Sequence, residues 1–167
     1  MKTVALWGKG DTGKSITLKT FLLKILKKYS LSAYNCSERS PLDIKMFETE
    51  LNIEINSFLL TEKQKVKDYT VTFDISGIKY GLTTCGDDEK SLKDAFMSFN
   101  HCDVVFCATR TSGRGVNFVN AQSSRVIWLE KCSVSDSEKA DRSFSKIMNY
   151  VNEQQIEILT EIFENYI

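Results

Sequence analysis

Eight consecutive residues near the start of the chain, Gly8-Lys9-Gly10-Asp11-Thr12-Gly13-Lys14-Ser15, have the types and the spacing to hold a phosphate chain. Glycines at 8, 10 and 13 let the backbone wrap an anion without Cβ clashes. The N–H groups running from Gly8 to Ile16 would form a concave anion nest that opens onto the first turn of a helix. Lys14 supplies a point charge for the terminal phosphates, and the Ser15 hydroxyl suits the Mg²⁺ that accompanies them.

Such chemistry needs an acid to help hold Mg²⁺, placed at the end of a strand beside the loop. Asp87, in Thr84-Cys85-Gly86-Asp87-Asp88, is the favoured candidate, with Asp88 or Asp74 as alternatives. Each alternative has a competing structural role. Asp74 falls near a hairpin tip opposite Lys79, and Asp88 with Glu89 suits the N-terminus of a helix, where the dipole favours acids. A second basic segment, Thr109-Arg110-Thr111-Ser112-Gly113-Arg114-Gly115, follows an apolar strand. Arg110 and Arg114 carry planar donor forks that match phosphate, as a transition-state clamp, a lid or a dock for an acidic partner. Arg39, in the polar segment 37–41, has the same logic with less support. An exposed polar loop is the structural alternative for both segments.

The elements that must position these residues are legible as alternating strands and helices. Thr3 to Trp7 reads as a buried strand, and 14–29 as a helix. Ile16, Leu18, Phe21, Leu22, Ile25, Leu26 and Tyr29 form its apolar side, with Lys19, Lys24, Lys27 and Lys28 largely opposite. Strands are expected over 32–36, 69–75, 78–85, 103–108 and 125–130. The Ser76-Gly77 pair between two alternating runs predicts a hairpin. Further helices are expected over 42–51, 91–99, 116–123, 137–151 and 153–166, the last with an apolar face containing Ile156, Leu159, Ile162 and Phe163. The segment 53–61 is ambiguous. Strands alternating with helices predict an α/β domain spanning 1–167, with a mostly parallel sheet and one antiparallel hairpin.

With its flanking strand and helix, the 8–15 loop fits G-x-x-x-x-G-K-[ST], and the chain resembles the P-loop NTPases. That resemblance implies a three-layer α/β/α sandwich that binds a nucleoside triphosphate with Mg²⁺. The hairpin looks like that of Ras-like GTPases, although their D-x-x-G motif is absent. Lys9 sits where the deviant Walker A ATPases carry an extra lysine that reaches phosphate across a dimer. Asp11 departs from their pattern, and a solvated loop lysine is the plainer reading. No N-K-x-D base-reading motif occurs, so ATP is expected rather than GTP.

Composition narrows the classes. The 167 residues carry 22 Lys+Arg against 22 Asp+Glu, and this balance gives no sign of nucleic-acid binding. No apolar run approaches a membrane span and no signal peptide is seen, so a cytoplasmic protein is expected. The five cysteines are odd in number and lack C-x-x-C spacing, which reads as reduced thiols. A zinc site from His101, Cys102 and Cys107 is conceivable, against the plainer reading of buried thiols beside a loop. Three functions remain: an NTPase switch acting with a protein partner or as a homodimer, a nucleoside- or nucleotide-kinase-like phosphotransferase, and a nucleotide-binding module without turnover. For the first, water would attack while Lys14, Mg²⁺ and Arg110 or Arg114 stabilise the transferred phosphoryl group, with Asp87 on the metal.

Overall fold

A computed structural model of the chain describes residues 1–9, 12–59, 67–86, 88–132 and 142–165. The order is β1 (Lys2–Trp7), α1 (Lys14–Lys28), β2 (Ala33–Asn35), β3 (Ser40–Pro41), α2 (Ile44–Leu59), β4 (Thr70–Ile75), β5 (Ile78–Thr83), α3 (Glu89–Met97), β6 (Val104–Thr109), α4 (Arg114–Gln122), β7 (Arg125–Glu130) and α5 (Arg142–Asn165). The seven strands form one sheet in the order β3-β2-β4-β5-β6-β1-β7.

The sheet is mixed. β5 with β6, β6 with β1 and β1 with β7 pair in parallel, whereas β2 with β3, β2 with β4 and β4 with β5 are antiparallel. The expected mostly parallel sheet with a single antiparallel hairpin is therefore corrected. The short β2 and β3 join the β4 edge by antiparallel pairing, which needs no crossover helix. The hairpin forms as expected: Ser76 and Gly77 both have positive φ, the two-residue geometry that matches strand twist.

Side chains alternate across the sheet and feed two cores. Val4, Leu6, Val104, Phe106 and Ala108 meet Leu18, Phe21, Leu22 and Ile25 of α1, Phe47 of α2, and Ile156, Leu159 and Phe163 of α5. Ala5, Val105 and Cys107 meet Leu92, Ala95 and Phe96 of α3, with Phe99 and Val119. Both faces of β1 and β6 are thus covered, which is why these strands read as continuous apolar runs.

Three local expectations change. One helix, α2, runs over 44–59 in place of the expected helix over 42–51 and the ambiguous segment 53–61, whose last two residues lie outside the described ones; Phe47, Leu51, Glu54 and Ser57 form one buried side along it. In place of two C-terminal helices, one helix runs from Arg142 to Asn165. Lys19 does not point to solvent: it is 1% exposed and pairs with Glu54 of α2 at 2.7 Å. α2 packs along that flank of α1, so Lys19 alone of the row is buried against a helix, while Lys24 is half-buried and Lys27 and Lys28 are exposed.

Candidate functional site

β1 ends at Trp7, level with Thr109 of β6 and Glu130 of β7. The loops after these three parallel strands therefore leave the same edge of the sheet. β6 lies on one side of β1 and β7 on the other, and chain leaving β1 and chain leaving β6 run to opposite sides of the pair. Such a reversal opens the crevice where α/β sheets bind ligands.

The described residues of the 8–15 loop follow β1 at that edge. The Gly8 N–H donates to the Thr109 carbonyl at 3.2 Å, and the Lys131 N–H to the Trp7 carbonyl at 2.7 Å, so both neighbouring strands hold the loop's entry. The Thr12 hydroxyl donates to the Lys9 carbonyl at 2.9 Å and tightens the turn. Gly13 is the N-cap of α1 at φ 82, a left-handed conformation that favours glycine. It offers no side chain to the first-turn N–H groups, which leaves them to face an anion. Lys14 is 6% exposed. Its ammonium donates to the carbonyls of Gly8 at 3.0 Å and Lys9 at 2.6 Å, which keeps the charge inside the loop. Ser15 is half-buried in the first turn, Ile16 anchors the turn in the interior, and Lys9 is exposed. Gly10 and Asp11 lie outside the described residues.

At the same edge of the sheet the ends of β5 and β6 border a separate cleft, whose lining includes no described residue of 8–15. Gly86 follows β5 so closely along β6 that a Cβ there would sit 2.2 Å from the Ala108 carbonyl oxygen. Gly86, Asp88, Glu89, Arg110, Ser112, Arg114 and Gly115 line a cleft of about 330 Å³. The arginines predicted to act together thus share one cleft, Arg110 just past β6 and Arg114 at the first position of α4.

The acids separate. Asp74 lies at the hairpin tip, at the edge of the sheet opposite the loop, where its carboxylate accepts the Gly77 N–H at 3.0 Å. It is a turn residue, and its candidacy as a metal acid ends there. Asp88 caps α3: its carboxylate accepts the Ser91 N–H at 2.9 Å and the Ser91 hydroxyl at 2.7 Å. The Ser91 backbone bond, with the hydroxyl bond behind it, holds its pKa below the usual carboxylate value. Asp87 lies outside the described residues. Because β6 separates β5 from β1, the chain after β5 does not leave a strand that borders the loop strand; its approach depends on the Gly86–Ala108 contact.

Cys107 belongs to the interior. It is fully buried on the α3–α4 side of β6, and desolvation pushes its thiol up to about 12. Cys102 is half-buried after α3, pushed up to about 11 mainly by burial, while His101 is exposed. Among the described residues no three His, Cys, Asp or Glu side chains group to hold a metal. Among those residues, also, no helix is long and apolar enough to cross a membrane.

Lys131 was not singled out by the sequence. It directly follows β7, is 4% exposed, and would touch a Cβ at Gly8 at 3.1 Å through its own Cβ. Its ammonium donates to Asn152 Oδ1 of α5 at 2.6 Å and to the Cys132 carbonyl at 3.0 Å. Its local sequence carries no motif, and its partner on α5 is 21 residues away. A polar residue one step beyond a strand that borders the loop is the only signal available. Comparison with known protein families, curated proteins and solved structures finds no match, so the site rests on its own geometry.

Proposed function

We propose that the chain is a P-loop NTPase, a three-layer α/β/α nucleotide-binding domain that binds and hydrolyses a nucleoside triphosphate with Mg²⁺. ATP is the proposed nucleotide and GTP the alternative. The observation that carries this reading is the strand–loop–helix unit itself. A strand flanked by parallel neighbours on both sides runs into a glycine-rich loop with a left-handed glycine N-cap, and a buried lysine is folded onto the loop's own carbonyls.

In this reading the first-turn N–H groups of α1 and the Lys14 ammonium bind the phosphates, and Lys14 exchanges the Gly8 and Lys9 carbonyls for phosphate oxygens. Mg²⁺, when bound, neutralises charge between the β- and γ-phosphates, and Ser15 is the described residue suited to hold it, with Asp87 as the proposed acid. Arg110 and Arg114, which line the cleft beyond β5 and β6, are the groups proposed to stabilise negative charge that develops during transfer. Among the described residues none is assigned to orient the attacking water, and turnover is proposed to be slow and accelerated by a protein partner or second copy. The cleft of about 330 Å³ between the arginines and Gly86 supports a second reading, a phosphotransferase whose acceptor occupies that space.

The test is a nucleotide panel. ATP, GTP and their diphosphates are titrated with and without Mg²⁺, following thermal stability and phosphate release, on wild type and Lys14→Ala. Stabilisation by one triphosphate in wild type, lost in Lys14→Ala, is expected, together with slow phosphate release. Binding without release leaves a nucleotide-binding module, and transfer to an added nucleoside or nucleotide selects the kinase. No stabilisation by any nucleotide overturns the proposal.

A further inference from the structure

The loop has a second buried ammonium behind it. Lys131 lies against Gly8 from the β7 side, on the face of the sheet that α1 and α5 cover. It is almost wholly buried, and among the described residues its hydrogen-bond acceptors, Asn152 Oδ1 and the Cys132 carbonyl, are both neutral. Burying an ammonium against neutral acceptors is costly unless an anion arrives to compensate it. One turn along α5, Gln155 is 3% exposed and donates to the Glu130 carbonyl at 2.8 Å, while its Oε1 has no hydrogen-bond partner among the described residues. The junction between the loop and α5 is therefore polar, buried and incompletely satisfied on the described residues.

We propose that Lys131 is a positioning residue of the nucleotide site, a second cation that helps Lys14 draw a polyphosphate into the loop and ties that event to α5 through Asn152. The inference rests on the nucleotide-binding reading above. It deepens that reading by assigning a residue, a charge and a responding helix to the same site.

Protonation supplies the distinguishing readout. Burial is the largest influence on Lys131 and lowers its pKa to about 8; Cys132 acts in the opposite sense, and Lys14 lowers it further. Among the described residues those are the titratable groups that act on it, Cys132 from its own segment and Lys14 from α1, while α5 faces it with the amide of Asn152. An anion in the loop favours the charged form, so binding above pH 8 must take up a proton. Nucleotide affinity should then be flat near pH 7 and fall by roughly tenfold between pH 7 and 9.

Calorimetry tests this between pH 7 and 9.5, in two buffers of different ionisation heat. The probe is whichever of ATP, ADP, GTP and GDP, with Mg²⁺, binds wild type most tightly at pH 7. Wild type should lose affinity with rising pH and take up protons near pH 9. Lys131→Arg keeps its charge and should change less than twofold over the range. Lys131→Met should bind about tenfold more weakly at pH 7 and show no proton uptake. If Lys131→Met does not fold, wild type against Lys131→Arg carries the test. A pH-independent wild type, or a pH profile shared by wild type and Lys131→Arg, overturns the role of Lys131 while leaving nucleotide binding intact. No binding by wild type at pH 7 overturns the underlying reading instead.

Discussion

Replacing Lys19 with methionine should destabilise the protein by more than almost any surface change, although the sequence places this lysine in a row of solvent-facing ones. Its ammonium is bonded to both carboxylate oxygens of Glu54 at 2.7 Å. It also donates to the Lys67 carbonyl and lies 5.3 Å from the centre of the Tyr69 ring. Lys19 is 1% exposed and Glu54 9%. Removing one partner leaves the other charge buried without compensation, at a cost of about 3–5 kcal/mol. For a chain of this length 1 kcal/mol corresponds to roughly 2–4 °C, so Lys19→Met should melt about 6–20 °C lower. Glu54→Leu should fall in the same range. The double variant Lys19→Met/Glu54→Leu exchanges a buried ion pair for apolar contact, and should lie within about 1 kcal/mol of wild type once the lost Lys67 bond is counted. The assay is urea denaturation of the four proteins, read as a double-mutant cycle. Singles costing under about 1 kcal/mol, or a double variant equal to their sum, would show that the pair is effectively solvated and refute the argument.

Gly86→Ala drives a Cβ to 2.2 Å from a backbone oxygen, which cannot rotate away, and should cost about 3 kcal/mol in a urea titration. Gly115→Ala, whose Cβ would meet Leu92 at 3.7 Å, should be neutral or stabilising by up to about 1 kcal/mol, and equal costs at both glycines would contradict the close approach at β6. Thiol labelling of the native protein at pH 7.5, read by peptide mass mapping, should modify exposed Cys132 first. Cys107, buried and with its thiol pushed up to about 12, should react only after denaturation; early labelling of Cys107 would mean that the α3–α4 face opens readily.

What was legible in the sequence is whatever local chemistry dictates. The 8–15 loop announces itself because glycine spacing, a lysine and a hydroxyl are all adjacent in the chain, and the strand before it and the helix after it follow from their apolar patterns. The β4–β5 hairpin is legible for the same reason, since its Ser-Gly turn selects its own geometry. The apolar runs of β6 and β7 are equally local signals, and so is the closeness of Arg110 and Arg114 along the chain. Six of the seven expected apolar positions of α1, Ile16 to Leu26, are buried because a helix repeats them every three or four residues, whereas Tyr29 caps the helix and is exposed.

The tertiary structure decided what depends on pairing between distant segments. Strand order is one case: nothing in the composition of β6 says that it lies between β1 and β5, yet that insertion sets how the chain after β5 reaches the loop. The burial of Lys19 is another, because the row it belongs to looks solvated until α2 supplies Glu54. Asp74 and Asp88 have similar sequence surroundings to a metal acid, and only their places at the hairpin tip and at the α3 cap distinguish them. Lys131 depends on α5 returning to the loop with Asn152. Periodicity and turn chemistry act over a few residues, whereas burial of a charge is a property of everything that packs around it, and those neighbours come from segments far apart in the chain.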